Sequence, residues 1–242
     1  MPEELGSTLN YLSNIKTDIY GDLKIYSGEW NFEINSNKNV YLSVAWSGWG
    51  KVSSARAATR LISTKFKEKS LDVLFFFGVA GGIDPKLMQG DVVISSKLVQ
   101  HDMDARPIFN KYVIPPLNEK FLIADSKWIK WSSNILKKAN LEEFGNIYSG
   151  LIATGDKFVS EKNAVNKLKA DFNDLLGVEM EGASVAQVAM QEKIPWLILR
   201  VISDGANDSS QKDFEKFLKI YQKNSAKIVK EFIENIFEAP LI

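Results

Sequence analysis

The 242-residue chain has no cysteine and a single histidine, His101. Without cysteine it can form no disulfide, thiolate nucleophile, iron–sulfur cluster or cysteine-based zinc site. One histidine rules out a two-histidine metal site, and any histidine-driven triad would rest on His101 alone. Neither sign of charge is in excess, since 30 Lys+Arg balance 30 Asp+Glu. Neutralising nucleic-acid phosphates takes a basic surplus, so no nucleic-acid partner is expected. No stretch approaches 18 uninterrupted apolar residues, so no membrane span is expected. The opening MPEELGSTLNYL carries acids where a secretory signal is basic, and no apolar core follows it. These absences point to the cytoplasm, and to chemistry run on carboxylates.

What is present reads as alternating strands and helices. Hydrophobic residues make up 45% and charged residues 25%, ordinary values for a well-cored protein, and the length suits one α/β domain over residues 1–242. Residues 22–33 and 40–46 alternate apolar with polar, as half-buried strands do. Helical spacing follows over 51–67. Next come a continuous apolar run at 71–82 that ends in glycines, a strand at 90–102, an irregular proline-containing stretch and a helix near 117–139. The second half repeats the pattern, with strands at 150–158, 175–181 and 195–206 and helices near 160–170 and 182–192. A long amphipathic helix over 211–237 closes it, with Phe214, Phe217, Leu218, Tyr221, Ile228, Val229, Phe232, Ile233 and Ile236 on one stripe and Asp208, Ser209 or Ser210 as N-caps. Buried strands alternating with amphipathic helices predict a three-layer αβα domain with a mixed, mostly parallel central sheet. Ligands of such sheets sit at the carboxyl ends of the strands.

Three segments put polar groups at those ends. FFFGVAGGID (75–84) lets backbone approach a ligand closely, or is simply a tight strand-to-loop turn; its spacing fits neither a dinucleotide fingerprint nor a P-loop. VEMEGAS (178–184) sets Glu179 and Glu181 on one side of an unbroken strand and Met180 on the other. A carboxylate there can accept both vicinal hydroxyls of a ribose; the plainer reading is a solvated strand end. LRVISDGAND (199–208) places Asp204 at the edge of the most apolar strand, where desolvation favours a protonated general acid. Asp204 could equally cap the following turn with Asn207. Arg200, four residues earlier on the same face, could pair with Glu179 or with an anionic water-activating group.

As an ordered set, these segments resemble the purine nucleoside phosphorylase/uridine phosphorylase superfamily and, within it, the methylthioadenosine/S-adenosylhomocysteine nucleosidases. SGWGKVSSARAA (47–58), GVAGGIDPKLMQGDVV (78–93), HD (101–102) and TGDKFV (154–159) extend the resemblance over nearly the whole chain. It implies hydrolysis of an adenine N-glycosidic bond without metal or cofactor, by a homodimer. Asp204 then matches the acid that protonates adenine N7, and Ser203 its support. Met180 and Glu181 match the pair beside the oxocarbenium-like ribose, with Glu181 on its 2′- and 3′-hydroxyls. Phe158 matches the aromatic that stacks on adenine, and Val159 the residue whose backbone reads its edge. Glu4 matches the water-activating base, and Arg200 the arginine that fixes that water. Phe75, Phe76 and Phe77 stand where a phosphorolytic relative has a phosphate-binding arginine, which favours water as the nucleophile.

Some features depart from the family pattern. The family opens with an apolar strand before Met-x-x-Glu, and the sequence starts at Met1 without it. Either its true beginning is missing or the sheet has lost a strand, and Glu4 falls among terminal residues where fraying is expected. Val79 stands in place of a small hydroxyl residue near the water. Trp49 replaces a smaller apolar residue on the 5′ side of the pocket, or else packs inward. His101 with Asp102 could form a dyad, although a structural histidine at a strand end fits better. Residues 103–116, with Ile108, Phe109 and Tyr112, resemble the segment that completes a neighbour's pocket; packing within one subunit is the alternative. Competing functions on the same fold are a futalosine-type hydrolase, a nucleoside phosphorylase and a catalytically degenerate nucleoside-binding protein.

Overall fold

The computed structural model describes residues 7–32, 39–139, 141–207 and 210–240. Two alternating segments fold as expected into β2 (Leu23–Trp30) and β3 (Tyr41–Ala45), joined by an unanticipated β1 (Leu12–Tyr20). The three form an antiparallel sheet in the order β1-β2-β3. β1 escapes pattern reading because only Leu12 is buried along it, so no alternation marks it. Gly21, at φ +65°, and Asp22 close the two-residue hairpin that pairs Tyr20 with Leu23.

The remaining strands are β4 (Leu74–Gly82), β5 (Val92–Gln100), β6 (Leu122–Ile123), β7 (Ile147–Thr154), β8 (Leu175–Glu179) and β9 (Trp196–Asp204). They lie in the order β6-β5-β7-β8-β4-β9, and β5 also pairs with β9, so five strands close on themselves. β4–β9, β5–β7 and β7–β8 are parallel, whereas β4–β8, β5–β9 and β5–β6 are antiparallel. The helices are α1 (Lys51–Ser63), α2 (Ser126–Ala139), α3 (Lys162–Asp171), α4 (Gly182–Gln191) and α5 (Ser210–Glu234).

β9 shows how the layers form. Its every residue is buried, and successive side chains go to opposite faces. Ile198 and Ile202 pack with Ala58 of α1 and Ala183, Ala186 and Ala189 of α4. Leu197, Leu199 and Val201 pack with Trp128, Trp131 and Ile135 of α2 and Phe217, Ile228 and Phe232 of α5. The small residues of α1 and α4 let those helices approach closely enough for Ser54 and Ser184 to share a buried 2.6 Å hydroxyl contact. The terminal helix buries most of its expected stripe. Of its proposed caps, Asp208 and Ser209 lie outside the described residues, while Ser210 Oγ accepts the N–H of Asn207 at 2.6 Å. Among the described residues no helix is long and apolar enough to cross a membrane.

Two expectations need correction or detail. The helix placed near 117–139 begins only at Ser126, where Asp125 Oδ1 accepts the N–H of Lys127 at 2.7 Å. Upstream of it, Pro115 and Pro116 lie in the turn between Ile114 and Glu119, which form an isolated bridge, and the short β6 follows. Among the described residues no strand precedes β1 to serve as the family's early strand. Among the described residues β3 pairs only with β2, and β4 upstream of Gly81 pairs only with β9. Both strands line one cavity of about 690 Å³, bounded by Ala57, Ala58 and Leu61 of α1 and by Val229 and Ile233 of α5.

Candidate active site

The carboxyl ends of three strands meet at Gly81. It pairs with Val178 of β8 on one side and Asp204 of β9 on the other, after a register shift that breaks the regular ladder. A side chain at Gly81 would lie 3.2 Å from both Asp204 Oδ1 and the Ala206 side chain, so anything larger than glycine would crowd the crossing. This junction forms one end of the 690 Å³ cavity, whose wall includes Val79, Gly81, Glu179, Met180, Glu181, Arg200, Ser203 and Asp204, with Trp49, Phe158, Val159 and Phe214.

The two glutamates of VEMEGAS do not share a face. β8 ends at Glu179, and Glu181, at φ −133° and ψ −37°, is already the N-cap of α4. Glu179 turns inward, where its side chain is only 2% exposed and that of Arg200 only 1%. Glu179 Oε2 accepts from Arg200 Nη2 at 2.8 Å and from the N–H groups of Glu181 and Gly182 at 2.9 and 2.7 Å. Its Oε1 accepts from the Thr154 hydroxyl, which in turn accepts the N–H of Ala183 at 2.8 Å. Protein donors thus occupy the whole carboxylate, which compensates the desolvation of a buried charge. Glu179 anchors Arg200 and the start of α4.

Glu181 has fewer donors. Its Oε1 accepts the N–H of Gly50 at 2.8 Å. Burial, and then the nearby Glu179 carboxylate, push its pKa up to about 7, while Arg200 and the Gly50 N–H act in the opposite direction. A carboxyl that lines the cleft with one such donor retains acceptor capacity for a ligand's hydroxyls.

Arg200 stacks over the Phe76 ring at 4.2 Å from its centroid, and its Nη1 donates to the Leu199 carbonyl at 3.3 Å. A side chain at Gly78 would come within 2.9 Å of that Nη1, so this glycine makes room for the guanidinium. Ser203 and Asp204 are both buried, at the end of β9. Ser203 Oγ is 2.7 Å from Asp204 Oδ2 and 3.2 Å from the Ala80 carbonyl oxygen, and Asp204 Oδ1 accepts the N–H of Ala206 at 2.8 Å. The turn-capping reading of Asp204 is therefore real for one oxygen, through Ala206 rather than Asn207.

Across the cleft, Phe158 is 41% exposed and Trp49 55% exposed, and each meets the Phe214 ring edge-on at 6.1 Å between centroids. Trp49 therefore borders the cleft rather than packing inward, and Val159 beside Phe158 is buried. Glu4 lies outside the described residues. Asp102 makes no dyad, because its carboxylate takes Lys51 Nζ at 2.7 Å and the N–H of Asp156 at 2.9 Å. His101 is a strand-end residue whose N–H donates to the Thr154 carbonyl at 2.9 Å, and burial lowers its pKa. Tyr112 packs inside its own subunit, 4.9 Å from Phe172, with its hydroxyl donating to Asp171, whereas Ile108 is 84% exposed. No residue of 103–116 lines the cavity of its own chain.

Motif reading passed over Thr154, Gly50, Asp156 and Phe214. Thr154 was detectable as a polar residue closing an apolar strand, and Phe214 as the first member of the terminal stripe. Gly50 acts through its backbone amide and the Asp156 carboxylate accepts that of Lys51, and backbone partners leave no mark in side-chain patterns.

Residues 1–234 match the family model described as the phosphorylase superfamily. A 5′-methylthioadenosine/S-adenosylhomocysteine nucleosidase of Listeria monocytogenes is 33% identical over 236 residues, 98% of this chain and 97% of that protein. An aminodeoxyfutalosine nucleosidase of Campylobacter jejuni is 36% identical over 201 residues, 83% of this chain and 82% of that protein. The crystal structure of the Neisseria meningitidis nucleosidase in complex with methylthio-immucillin-A superposes with a TM-score of 0.83 at 29% identity, covering 97% of this chain and 96% of that one. Helicobacter pylori futalosine hydrolase follows at 0.82 and 28%, covering 97% and 94%. The chain belongs to the phosphorylase superfamily and, within it, to the 5′-methylthioadenosine/S-adenosylhomocysteine nucleosidase family.

Proposed function

We propose that this protein hydrolyses the N-glycosidic bond of 5′-substituted adenosines, such as methylthioadenosine, S-adenosylhomocysteine or 5′-deoxyadenosine, and releases adenine. The observation that carries the mechanism is the Ala80–Ser203–Asp204 chain of polar contacts. When Asp204 bears a proton on Oδ2, Ser203 accepts from it and donates to the Ala80 carbonyl. When Asp204 has given that proton to adenine N7, Ser203 turns and donates to the carboxylate. The hydroxyl thus supports both states of a general acid, while Ala206 fixes the other oxygen. Bond cleavage leaves positive charge on the ribose, beside Met180 and the Glu181 carboxylate that accepts its hydroxyls. Phe158 stacks on the base and the Val159 backbone reads its edge. Water adds to the anomeric carbon, and its proton passes to a base, which we assign to Glu4.

Water rather than phosphate is favoured by charge. Arg200 is the arginine among the described cavity-lining residues, and Glu179 already neutralises it. The apolar Phe75–Phe77 run supplies no cation in its place. Val79 offers no hydrogen bond, so fixing the water falls to Arg200 and the base. We further assign a homodimer in which 103–116, with Ile108 exposed, reaches the neighbour's pocket, and a cytoplasmic location.

The direct test is Asp204→Asn, for which adenine release should fall at least ~10²-fold while a substrate analogue still binds. Unchanged turnover would sink the mechanism. Trp49, edge-on to Phe214, narrows the 5′ side, so small 5′ groups should be preferred. Rates on methylthioadenosine, S-adenosylhomocysteine, 5′-deoxyadenosine and aminodeoxyfutalosine decide this, and equal rates would contradict it. The Campylobacter relative favours a second reading, which a dominant rate on aminodeoxyfutalosine would establish.

A further inference from the structure

Two consecutive amides at the start of α1 hold two different walls of the cleft. The N–H of Gly50 donates to Glu181 Oε1 at 2.8 Å, on the ribose side, and the N–H of Lys51 donates to Asp156 Oδ1 at 2.8 Å, on the base side. Asp156 stands two residues before Phe158 in the loop that follows β7. Its own N–H donates to Asp102 Oδ2 at 2.9 Å, and Asp102 Oδ1 accepts from Lys51 Nζ at 2.7 Å. Lys51, Asp102 and Asp156 therefore form a closed ring in which each residue contacts the other two. Gln100 Oε1, 3.3 Å from Lys51 Nζ, and Gln187, 2.7 Å from Gln100 Nε2, extend it to β5 and α4. Gly50 has φ +84°, and a side chain on it would come within 2.9 Å of Asp156 Oδ1. The close approach of helix and loop is thus built into the chain.

We propose that Asp156, held by Lys51 and Asp102, is a positioning residue that sets the spacing between the ribose-binding Glu181 and the adenine-stacking Phe158. Its effect passes through the Gly50–Lys51 amides, without contact between Asp156 and the nucleoside. Burial of Asp102 opposes its ionisation, yet the Lys51 ammonium and the Asp156 N–H together hold its carboxyl below the usual range. The consequence is specific. A ligand that spans both walls needs their relative placement, whereas free adenine needs only the base wall.

This inference rests on the nucleosidase reading of Phe158 and Glu181, and the experiment separates the two. Wild type, Asp156→Ala, Asp156→Asn and Lys51→Met are titrated with a non-hydrolysable methylthioadenosine analogue and with adenine, and backbone hydrogen exchange is followed without ligand. Removing the Asp156 acceptor should weaken the analogue about tenfold, the scale of one charge-assisted hydrogen bond, and change adenine binding by less than about twofold. Asp156→Asn, which keeps an acceptor oxygen, should restore most of the difference, and Lys51→Met should lose part of it. In Asp156→Ala, exchange should rise together at 50–51 and across 156–159. Equal weakening of both ligands, or faster exchange confined to one segment, would overturn the proposal. If the wild type binds neither ligand, the functional reading fails, and the exchange result alone decides the coupling.

Discussion

Glu181 makes a double prediction, about stability and about rate, from one carboxyl group. Its pKa rises from an ordinary 4.5 to about 7 in the folded protein, chiefly through burial and then through Glu179. A group that holds its proton more tightly when folded contributes stability below pH 4.5, and that contribution drains away as pH rises through about 7. At about 1.4 kcal/mol per pKa unit, the rise corresponds to roughly 3 kcal/mol lost between those limits. Glu181→Gln removes the titration. Urea unfolding at pH 5, 6, 7 and 8 should therefore show wild type losing stability relative to the variant by an amount of that order, with most of the change below pH 7. The rate moves the other way. In the proposed mechanism the ionised carboxylate accepts the ribose hydroxyls, so kcat/KM of the wild type should fall on the acid side with an apparent pKa near 7. Parallel stability curves for wild type and Glu181→Gln, or an acid limb centred near 4.5, would refute the reasoning.

The buried pair should behave asymmetrically: Glu179→Gln or Arg200→Met alone should cost about 3–5 kcal/mol in unfolding free energy, because each leaves a buried charge uncompensated. Replacing both with apolar residues should cost less than the two single losses combined, and strict additivity would contradict the idea that the pair neutralises itself. In hydrogen exchange, β4 between Phe75 and Val79 should be less protected than β9, since among the described residues β9 is paired on both edges and β4 there on one. Uniform protection of the two strands would mean that the free edge of β4 is covered.

The fold was legible wherever burial is two-sided or alternates cleanly. β9 and β4 are continuous apolar runs, and β2 and β3 alternate, so all four emerge within a few residues of their observed bounds. β1 buries only Leu12 and β6 is two residues long, so neither leaves a hydrophobic period to read. The site was legible to the extent that its chemistry uses side chains on strand ends. Ser203, Asp204, Met180 and Glu181 fall in one cleft with Phe158, as the motifs imply. The role of Glu179 was not legible, because assigning both glutamates to one face assumes that β8 continues through Glu181. The chain turns into α4 one residue after Glu179, and the donors that consume its carboxylate include two backbone amides and a threonine from a different strand. Nothing in the local sequence announces such partners.

The three acids of the cleft show how one residue class can serve three purposes when hydrogen-bond supply differs. Glu179 receives an arginine, a hydroxyl and two amides, so nothing of its carboxylate is left for a ligand, and it sets the positions of its neighbours. Glu181, a short step along the chain, receives Gly50 and faces the charge of Glu179, so its pKa is raised and it has acceptor capacity to spare. Asp204 receives one amide and shares a hydroxyl that can reverse its direction, which suits a group that must give up a proton and recover it. These environments do not act independently. Ionised Glu179 raises the pKa of Glu181, and Arg200 offsets part of that effect. A change at Arg200 should therefore reach the ribose side through Glu181 as well as the water through its own guanidinium. The acid limb of kcat/KM should then move to higher pH in Arg200→Met, whereas Asp204→Asn should lower the rate without moving that limb. Proteins that stay folded but show the opposite pattern would place the titrating group at Asp204, and Glu181 would no longer be the acid that sets the pH profile.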